Sequence, residues 1–291
     1  MASFMRIVGL SVVKNEDDVI EAMVRHNLDH LDHLHVVDNG STDRTRAILS
    51  ALENEGLAVT HVVNDALQHI QAHILTELVN GPYADDHIVL LDADEFLMCD
   101  PGVMRSVFET ANGPVTMPWV TYVPSPEDDV DDRNPLTRIT LRRRREKPQY
   151  SKVLIPATVP RPVEVGAGSH NLANLGAEPA SDVQLAHFPV RSPMQLACKV
   201  LIGSWNMSLR NKGRKEGYQW HALAERIKTD GLPDPETLQE IGLTYAAKSA
   251  VRMVNDPIKT EAKTLRYTRI SRDQFIMNIA GFVDRVVLEK G

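Results

Sequence analysis

Short apolar runs alternate with longer helical stretches over the first part of the sequence. Residues 6–13, 33–38, 58–64 and 86–97 contain runs of β-branched and aliphatic side chains, which favour buried strands. Amphipathic stretches of helical length separate these runs. Because strands that alternate with helices form parallel sheets, we predict an α/β fold whose ligands bind beyond the carboxyl ends of the strands.

Acidic residues stand at two of these predicted strand ends. Asp38 closes the second strand, and Asp92 and Asp94 follow the fourth apolar run, with Glu95 directly after them. Hard divalent cations such as Mg²⁺ or Mn²⁺ prefer oxygen ligands, so an Asp-x-Asp pair at a strand end suits a metal that holds phosphate. The same pair can also cap a helix, and the motif alone leaves both roles open.

The segment around Asp38, "VVDNGSTDRT", has a local explanation as well. Asn39 and Gly40 can form a sharp turn, and Ser41 or Asp43 can cap a helix that begins near Arg44. A turn and a cap leave only Asp38 unexplained. An acid at that position is placed to accept hydrogen bonds from a nucleoside base or a ribose hydroxyl.

The pattern changes after about residue 113. Residues 113–126 and 136–145 read as strands on either side of an acidic loop, and residues 150–190 favour short strands and loops. From Pro193 onward, helix-forming residues dominate. We therefore predict a domain at 1–200, with a parallel α/β half at 1–112 and a mixed β half at 113–200, followed by a helical C-terminal extension at 201–291.

Four consecutive arginines occur in the second half, in "LRRRRE" at residues 141–146. On a strand they would project alternately to both faces. One pair could bind phosphate or an anionic acceptor, because guanidinium groups bind such oxygens in a bidentate manner. A solvated edge strand explains the run equally well.

The composition of the chain limits the kinds of partner that it can bind. A net charge of −7 argues against general attraction to nucleic acid, and two cysteines offer neither a disulfide framework nor a zinc pattern, which favours a cytoplasmic location. No apolar run approaches the roughly 20 residues that span a bilayer. Residues 205–223 mix aromatic and basic side chains, so peripheral contact with anionic lipid at the inner face of the membrane is an open expectation.

Three segments resemble a known family when they are taken in order. They are residues 10–45, "DADEFL" at 92–97, and "HFPVRS" at 187–192 with Lys199 beyond it. Together they resemble the family 2 glycosyltransferases of the GT-A fold, particularly a bacterial branch similar to family 92. The resemblance covers roughly residues 5–200 and implies a Rossmann-like mixed sheet flanked by helices, a nucleotide-sugar donor, and a glycan or glycoconjugate acceptor. It also implies that residues 1–112 form the nucleotide-binding half of the domain and residues 113–200 the acceptor half.

The resemblance also implies roles for individual residues around the donor. Asp38 would recognise the nucleoside, with Asp43 grouped beside it in the same loop. Lys14, Asn15 and Glu16 would line the donor pocket, and Asn15 is in addition a possible N-cap of the first helix.

A second group of positions would meet the diphosphate and a Mn²⁺ or Mg²⁺ ion. Asp92 and Asp94 would form the Asp-x-Asp pair at the metal and the ribose, and His187 would complete the metal site. The resemblance assigns basic positions near the diphosphate or the acceptor to Lys152, Arg191 and Lys199.

The general base is open, because Glu95, Glu164, His170 and Asp182 are all eligible by residue type. The resemblance implies an inverting, metal-dependent transfer, with UDP as the expected nucleotide. Two alternatives remain at this point: a non-catalytic sugar-nucleotide-binding protein, and a metal-dependent phosphatase or nucleotidyltransferase that uses the same acids.

Overall fold

A mixed β-sheet flanked by helices forms the centre of the molecule. The computed structural model describes residues 5–65, 70–146, 151–180, 182–209, 218–245, 252–260, 264–269, 276 and 278–284. Within these residues the main sheet has nine strands in the order β3-β2-β1-β4-β8-β6-β10-β5, with β9 paired to β6. The predicted α/β class is confirmed.

The first half of the chain forms the parallel part of this sheet. Strands β1 to β4 are Ile7–Val13, His33–Asp38, Val59–Val63 and His87–Leu91. Helices α1 to α3 are Ile20–Asn27, Thr45–Asn54 and Gln71–Asn80. Strands β1, β2, β3 and β4 pair in parallel, as the alternating pattern predicts, so their carboxyl ends lie at one edge.

The fourth apolar run forms a strand that ends at the acidic turn. Strand β4 ends at Leu91, directly before Asp92 as predicted, and the residues after the turn form a further strand, β5, Glu95–Met98, at the far edge of the sheet. The turn is closed by a hydrogen bond from the Glu95 amide to the Asp92 carbonyl. The pattern predicts the end of β4 but not strand β5, which runs in the opposite direction.

The second half of the chain completes the sheet with mixed pairing. Strands β6, β8, β9 and β10 are Val115–Thr121, Ser151–Ile155, Glu178–Pro179 and Gln184–His187. Strand β8 is antiparallel to both β4 and β6, and β10 is parallel to β6 and antiparallel to β5. His187 therefore lies at the carboxyl end of β10, and it pairs in register with Glu95 of β5.

Further helices and a small two-stranded sheet surround this core. Helices α4 to α8 are Pro101–Thr110, Pro135–Arg138, Pro193–Leu209, Tyr218–Asp230 and Pro235–Thr244. The small sheet pairs β7, Leu141–Arg143, with β11, Met253–Asn255. Helix α6 runs through residue 200, where the sequence predicts a domain boundary, and the division into domains stays a prediction.

None of the helices in the described part of the chain combines the length and the apolar character that crossing a bilayer requires. The side chains of residues 206–220, which carry most of the aromatic and basic segment, lie outside the described residues. Peripheral membrane contact stays a prediction.

The expected N-cap at Asn15 is wrong. Helix α1 begins at Ile20 with Val19 in the N-cap position, whereas Asn15 has a φ of 57° in the loop that precedes it. Asparagine tolerates this left-handed conformation better than most residues. The loop after β1 is therefore longer than the sequence suggests, and it brings residues 14–18 to the edge of the sheet.

A buried carboxylate on α1 holds residues 266–268 against the first half of the sheet. The side chain of Glu21 is fully buried and accepts hydrogen bonds from the amides of Arg266, Tyr267 and Thr268 at 2.7–2.8 Å. Arg25 pairs with the same carboxylate at 3.0 Å. Burial raises the pKa of Glu21, but these donors outweigh it and hold the pKa below its usual value.

We expect Glu21→Gln to lower the free energy of unfolding by about 2 kcal/mol. The glutamine side chain is neutral, and its NH₂ group would face backbone N–H groups that can only donate. The pKa of Glu21 in the folded state lies below its unfolded value of about 4.3. The stabilisation that its carboxylate gives is therefore complete above a pH of about 4.3, and it is lost as the pH falls through the folded-state pKa. Denaturant unfolding at pH 7 and at pH 3.5 measures both effects. Glu77→Gln, at an exposed helix position, is the control, and an equal loss in both variants would contradict this role of Glu21.

Candidate active site

The loops after β1 and β2 are hydrogen-bonded to each other around Asp38. The backbone amide of Asn15 donates to Ser41 Oγ at 2.9 Å, and the side-chain oxygen Oδ1 of Asn15 accepts from the Thr42 backbone amide at 2.7 Å. The fully buried carboxylate of Asp38 accepts from the Ser41 amide and from Arg46 Nε at 2.9 and 3.0 Å. The structure thus places Asp38 and Asn15 together, with Asp38 holding the shape of the β2 loop.

The next residues of these loops have distinct positions. Asp43 accepts from the Asp17 amide at 3.1 Å and from the Thr45 amide at 2.9 Å, so it fixes the start of α2 and ties it to the β1 loop. Burial raises the pKa of Asp43. The Lys14 ammonium lies 5.9 Å from the ring centroid of Phe282, a residue from the C-terminal part of the chain.

The acidic turn after β4 is held by a buried lysine from β8. Lys152 has no exposed surface and donates to Asp92 Oδ2 and to the Gly168 carbonyl, each at 2.7 Å. The other Asp92 oxygen accepts from Gln71 Nε2 at 2.6 Å. Burial raises the pKa of Asp92, but the Lys152 ammonium outweighs it and lowers the pKa overall. Lys152 therefore holds Asp92 in place from a fully buried position on β8.

Glu95 stabilises the same turn from a buried position. Its side chain is fully buried, accepting from the Asp92 amide at 2.7 Å through Oε2 and from Trp119 Nε1 at 2.6 Å through Oε1. Burial raises the pKa of Glu95 to about 8. A carboxyl group with no exposed surface and both oxygens bonded cannot reach an acceptor hydroxyl, so Glu95 is poorly placed as the general base.

Asp94 lies among three nitrogen-bearing side chains. Lys199 on α6 donates to Asp94 Oδ2 at 2.8 Å, and Arg191 Nη1 lies 3.7 Å from the same oxygen. His187 Nε2 lies 3.9 Å from Asp94 Oδ1. Burial alone would raise the pKa of Asp94, but the cations of Lys199 and Arg191 hold it well below its usual range.

Arg191 joins the β1 loop to this cluster. Its guanidinium is almost fully buried and pairs with Asp18 at 2.7 and 2.8 Å and with Glu16 at 2.6 Å. Burial raises the pKa of Glu16 to about 7. Asp18 is not among the predicted site residues, although the run "KNEDD" at the end of the first strand contains it two residues after Glu16.

An aromatic stack lines the side of the cluster. The rings of Trp119 and His187 are stacked with centroids 4.0 Å apart, and His170 meets the edge of Trp119 at 5.1 Å. Burial lowers the pKa of His187 to about 3, so its imidazole is neutral. His187 Nδ1 is buried and has no hydrogen-bond partner in the described structure.

The remaining base candidates differ in position. His170 Nδ1 lies 2.9 Å from the Ser151 carbonyl, which can only accept, so this nitrogen carries the proton and Nε2 carries the lone pair. Asp182 is exposed and precedes β10, at the opposite end of that strand from His187. Glu164 is also exposed, and its carbonyl accepts from the Ala173 amide in the loop after β8. Of the four, His170 is the best placed.

The donor set suits a divalent cation that is shared with phosphate. Among the described residues no group of three or more His, Cys, Asp or Glu side chains is close enough to form a complete metal site. Mg²⁺-type ions at phosphate sites take only one or two carboxylates from the protein, at about 2.1 Å, and the substrate supplies other ligands. Asp94 Oδ1 and His187 Nε2 lie 3.9 Å apart, so they would need to approach each other by about 1 Å to become adjacent ligands of one such ion.

The chain is similar to one family profile and to several solved structures. No curated protein matches it. Among solved structures, the mannosyltransferase PcManGT from Pyrobaculum calidifontis, in complex with GDP-Man and Mn²⁺, is 18% identical over 85% of this chain and 77% of that one, with a TM-score of 0.39.

Two further solved structures match shorter parts of the chain. The galactosyltransferase LgtC, in complex with donor and acceptor sugar analogues, is 15% identical over 38% of this chain and 46% of that one, with a TM-score of 0.28. A mannose-6-phosphate isomerase from Helicobacter pylori is 13% identical, with a TM-score of 0.30, and the match covers 44% of this chain and 59% of the isomerase.

The sequence profile described as Glycosyl transferase family 2 matches residues 10–161. This range contains the loops after β1, β2 and β4 and the buried lysine of β8. It also covers more than half of the 291 residues. The chain therefore belongs to glycosyl transferase family 2, which confirms the family and the glycosyltransferase class predicted from the sequence.

Proposed function

We propose that this glycosyltransferase transfers a sugar from a nucleotide diphosphate sugar, with UDP as the nucleotide, to an acceptor hydroxyl with inversion and with a divalent cation. The proposed setting is the cytoplasm, and the proposed product is a surface polysaccharide or a glycoconjugate. The main support is the grouping of Asp94, His187, Arg191 and Lys199 beside the Asp92 turn. This group combines metal-type ligands with cations that suit a diphosphate.

The cations have a specific task in this proposal. Breaking the bond between the sugar and the β-phosphate leaves negative charge on the nucleoside diphosphate, and Lys199 and Arg191 are placed to stabilise it. A Mn²⁺ or Mg²⁺ ion held by Asp94 and His187 beside the Asp92 turn would neutralise further charge on the same group. Lys152 and Glu95 keep the Asp92 turn in place without touching the donor.

His170 is the proposed general base. The acceptor hydroxyl oxygen forms a bond to the anomeric carbon while the bond to the diphosphate breaks on the opposite face, and the hydroxyl proton passes to His170 Nε2. The hydrogen bond between Nδ1 and the Ser151 carbonyl fixes the tautomer that this role needs. Burial lowers the pKa of His170, which keeps the imidazole unprotonated at neutral pH.

We expect Asp94→Asn to reduce metal-dependent release of UDP from UDP-sugars by at least about 100-fold, because it removes a charge that holds the metal and Lys199. The measurement is nucleoside diphosphate release with Mn²⁺ and with EDTA. Asp230→Asn, at an exposed end of α7, is the matched control and should behave as the wild type. Product analysis by NMR tests inversion.

Other outcomes of this assay would contradict the proposal. Nucleotide binding without any sugar transfer or hydrolysis by the wild type would indicate a non-catalytic sugar-nucleotide-binding protein. Hydrolysis of p-nitrophenyl phosphate would favour the phosphatase alternative, and release of pyrophosphate from a nucleoside triphosphate would favour the nucleotidyltransferase. A product that retains the anomeric configuration of the donor would overturn the single displacement.

We expect His170→Asn to lower kcat about 100-fold or more while the Kd for UDP stays unchanged, because general-base catalysis contributes that much. Asparagine can still donate to the Ser151 carbonyl, so the local fold is kept. His73→Asn, on the exposed face of α3, is the control. A kcat equal to that of the wild type would show that another group takes the proton.

A further inference from the structure

Helix α8, in the C-terminal third of the chain, packs closely against the acceptor half. A Cβ atom at Gly242 would lie 3.0 Å from Pro124 Cδ and 3.2 Å from Val123 Cγ1, just beyond the end of β6. Glycine therefore allows the last turn of α8 to approach this backbone. The start of the helix is fixed by Asp234, which accepts from the Thr237 amide at 2.7 Å.

One arginine of the run at residues 141–146 secures the end of α8. Arg143 is almost fully buried and donates through Nη2 to the carbonyls of Gly242 and Tyr245 at 3.0 and 2.6 Å. These carbonyls belong to the C-terminal end of the helix, which attracts cations. Glu146 pairs with Arg143 Nη1 at 3.3 Å. Arg142, the residue before Arg143, instead pairs with Asp256.

Tyr245, whose carbonyl accepts from Arg143 at the end of α8, lies beside the charged cluster around Asp94. The ring of Tyr245 lies edge-on to the ring of His187, with centroids 6.2 Å apart. Lys199 Nζ lies 5.9 Å from the Tyr245 ring centroid and 2.8 Å from Asp94. Tyr245 therefore lies on the Asp94 side of the site.

We infer that Tyr245 is a donor-site residue whose hydroxyl binds the β-phosphate of the nucleotide sugar together with Lys199, and that Arg143 is the positioning residue that holds it there. The Asp94 side is the place for the diphosphate, because the loop of Asp38 is the proposed nucleoside side. This inference rests on the proposed function and assigns to that site a residue from the C-terminal third of the chain.

The test compares nucleotides with and without the β-phosphate. Calorimetry with Mn²⁺ measures the Kd of the full-length protein for UDP and UMP, and for GDP and GMP as a second pair. Tyr245→Phe keeps the ring and removes only the hydroxyl. We expect it to weaken binding of the diphosphate about tenfold and to leave binding of the monophosphate unchanged, as for a lost hydrogen bond to a charged group.

The role of Arg143 is tested by a double-mutant cycle. We expect Arg143→Lys to weaken diphosphate binding in the wild-type background and to cause little further loss in the Tyr245→Phe background, because it acts through Tyr245. Arg142→Lys and Tyr83→Phe, which lie outside the site, are the matched controls. Melting temperatures check that each variant is folded, and the Tyr245→Phe result stands even if Arg143→Lys is unstable.

Two results would overturn this inference alone. They are a Tyr245→Phe variant that binds the diphosphate as tightly as the wild type, and a variant that loses diphosphate and monophosphate affinity equally. Additive effects of Arg143→Lys and Tyr245→Phe would overturn the positioning role of Arg143. A wild-type protein that binds neither UDP nor GDP with Mn²⁺ would instead overturn the proposed function together with the inference.

Discussion

The need to neutralise carboxylates gathered at one edge of the sheet governs the rest of the structure. Parallel pairing of β1, β2 and β4 brings their carboxyl ends together, and the loops there carry several acids. The acids of the cluster are Glu16, Asp18, Asp92, Asp94 and Glu95. Burying such groups without partners costs several kcal/mol per charge. The cations that pair with them are Lys152, Arg191 and Lys199.

These cations come from parts of the chain that are distant in sequence from the acids. Lys152 comes from β8, Arg191 follows β10, and Lys199 comes from α6. The second half of the sheet is therefore needed to complete the charge balance of the first half. The C-terminal third adds Tyr245 to the same region, and its later residues pack on the loops after β1 and β2, where Asn278 accepts from Thr42.

The parts of the site that the sequence predicts correctly depend on local pattern. Strands that alternate with helices imply a parallel sheet, and residues at the ends of such strands must lie near one another, as Asp38 and Asn15 do. The break of the acidic segment into β4 and β5 could not be predicted in the same way. Glu95, at the start of β5, is buried and bonded to Trp119, a contact between residues 24 positions apart that a local pattern does not contain.

Contacts over longer distances in sequence explain the other differences. A run of four arginines gives no sign that Arg143 binds the end of a helix 99 residues further along the chain. Residue type alone made His170 and Asp182 equal candidates for the base, although they lie in different surroundings. Asn15 had the residue type of an N-cap, but the hydrogen bonds to the β2 loop hold it in another conformation.

The proposed function requires the acidic edge of the sheet to bind a nucleoside diphosphate together with a divalent cation. This binding can be measured as the melting temperature of the wild-type protein with UDP, GDP, CDP or dTDP, each with and without Mn²⁺. A ligand at about 100 times its Kd stabilises the native state by about 2.7 kcal/mol. We expect a rise in melting temperature that requires Mn²⁺ and is largest for UDP. The absence of a Mn²⁺-dependent rise with all four nucleotides would contradict the proposed function.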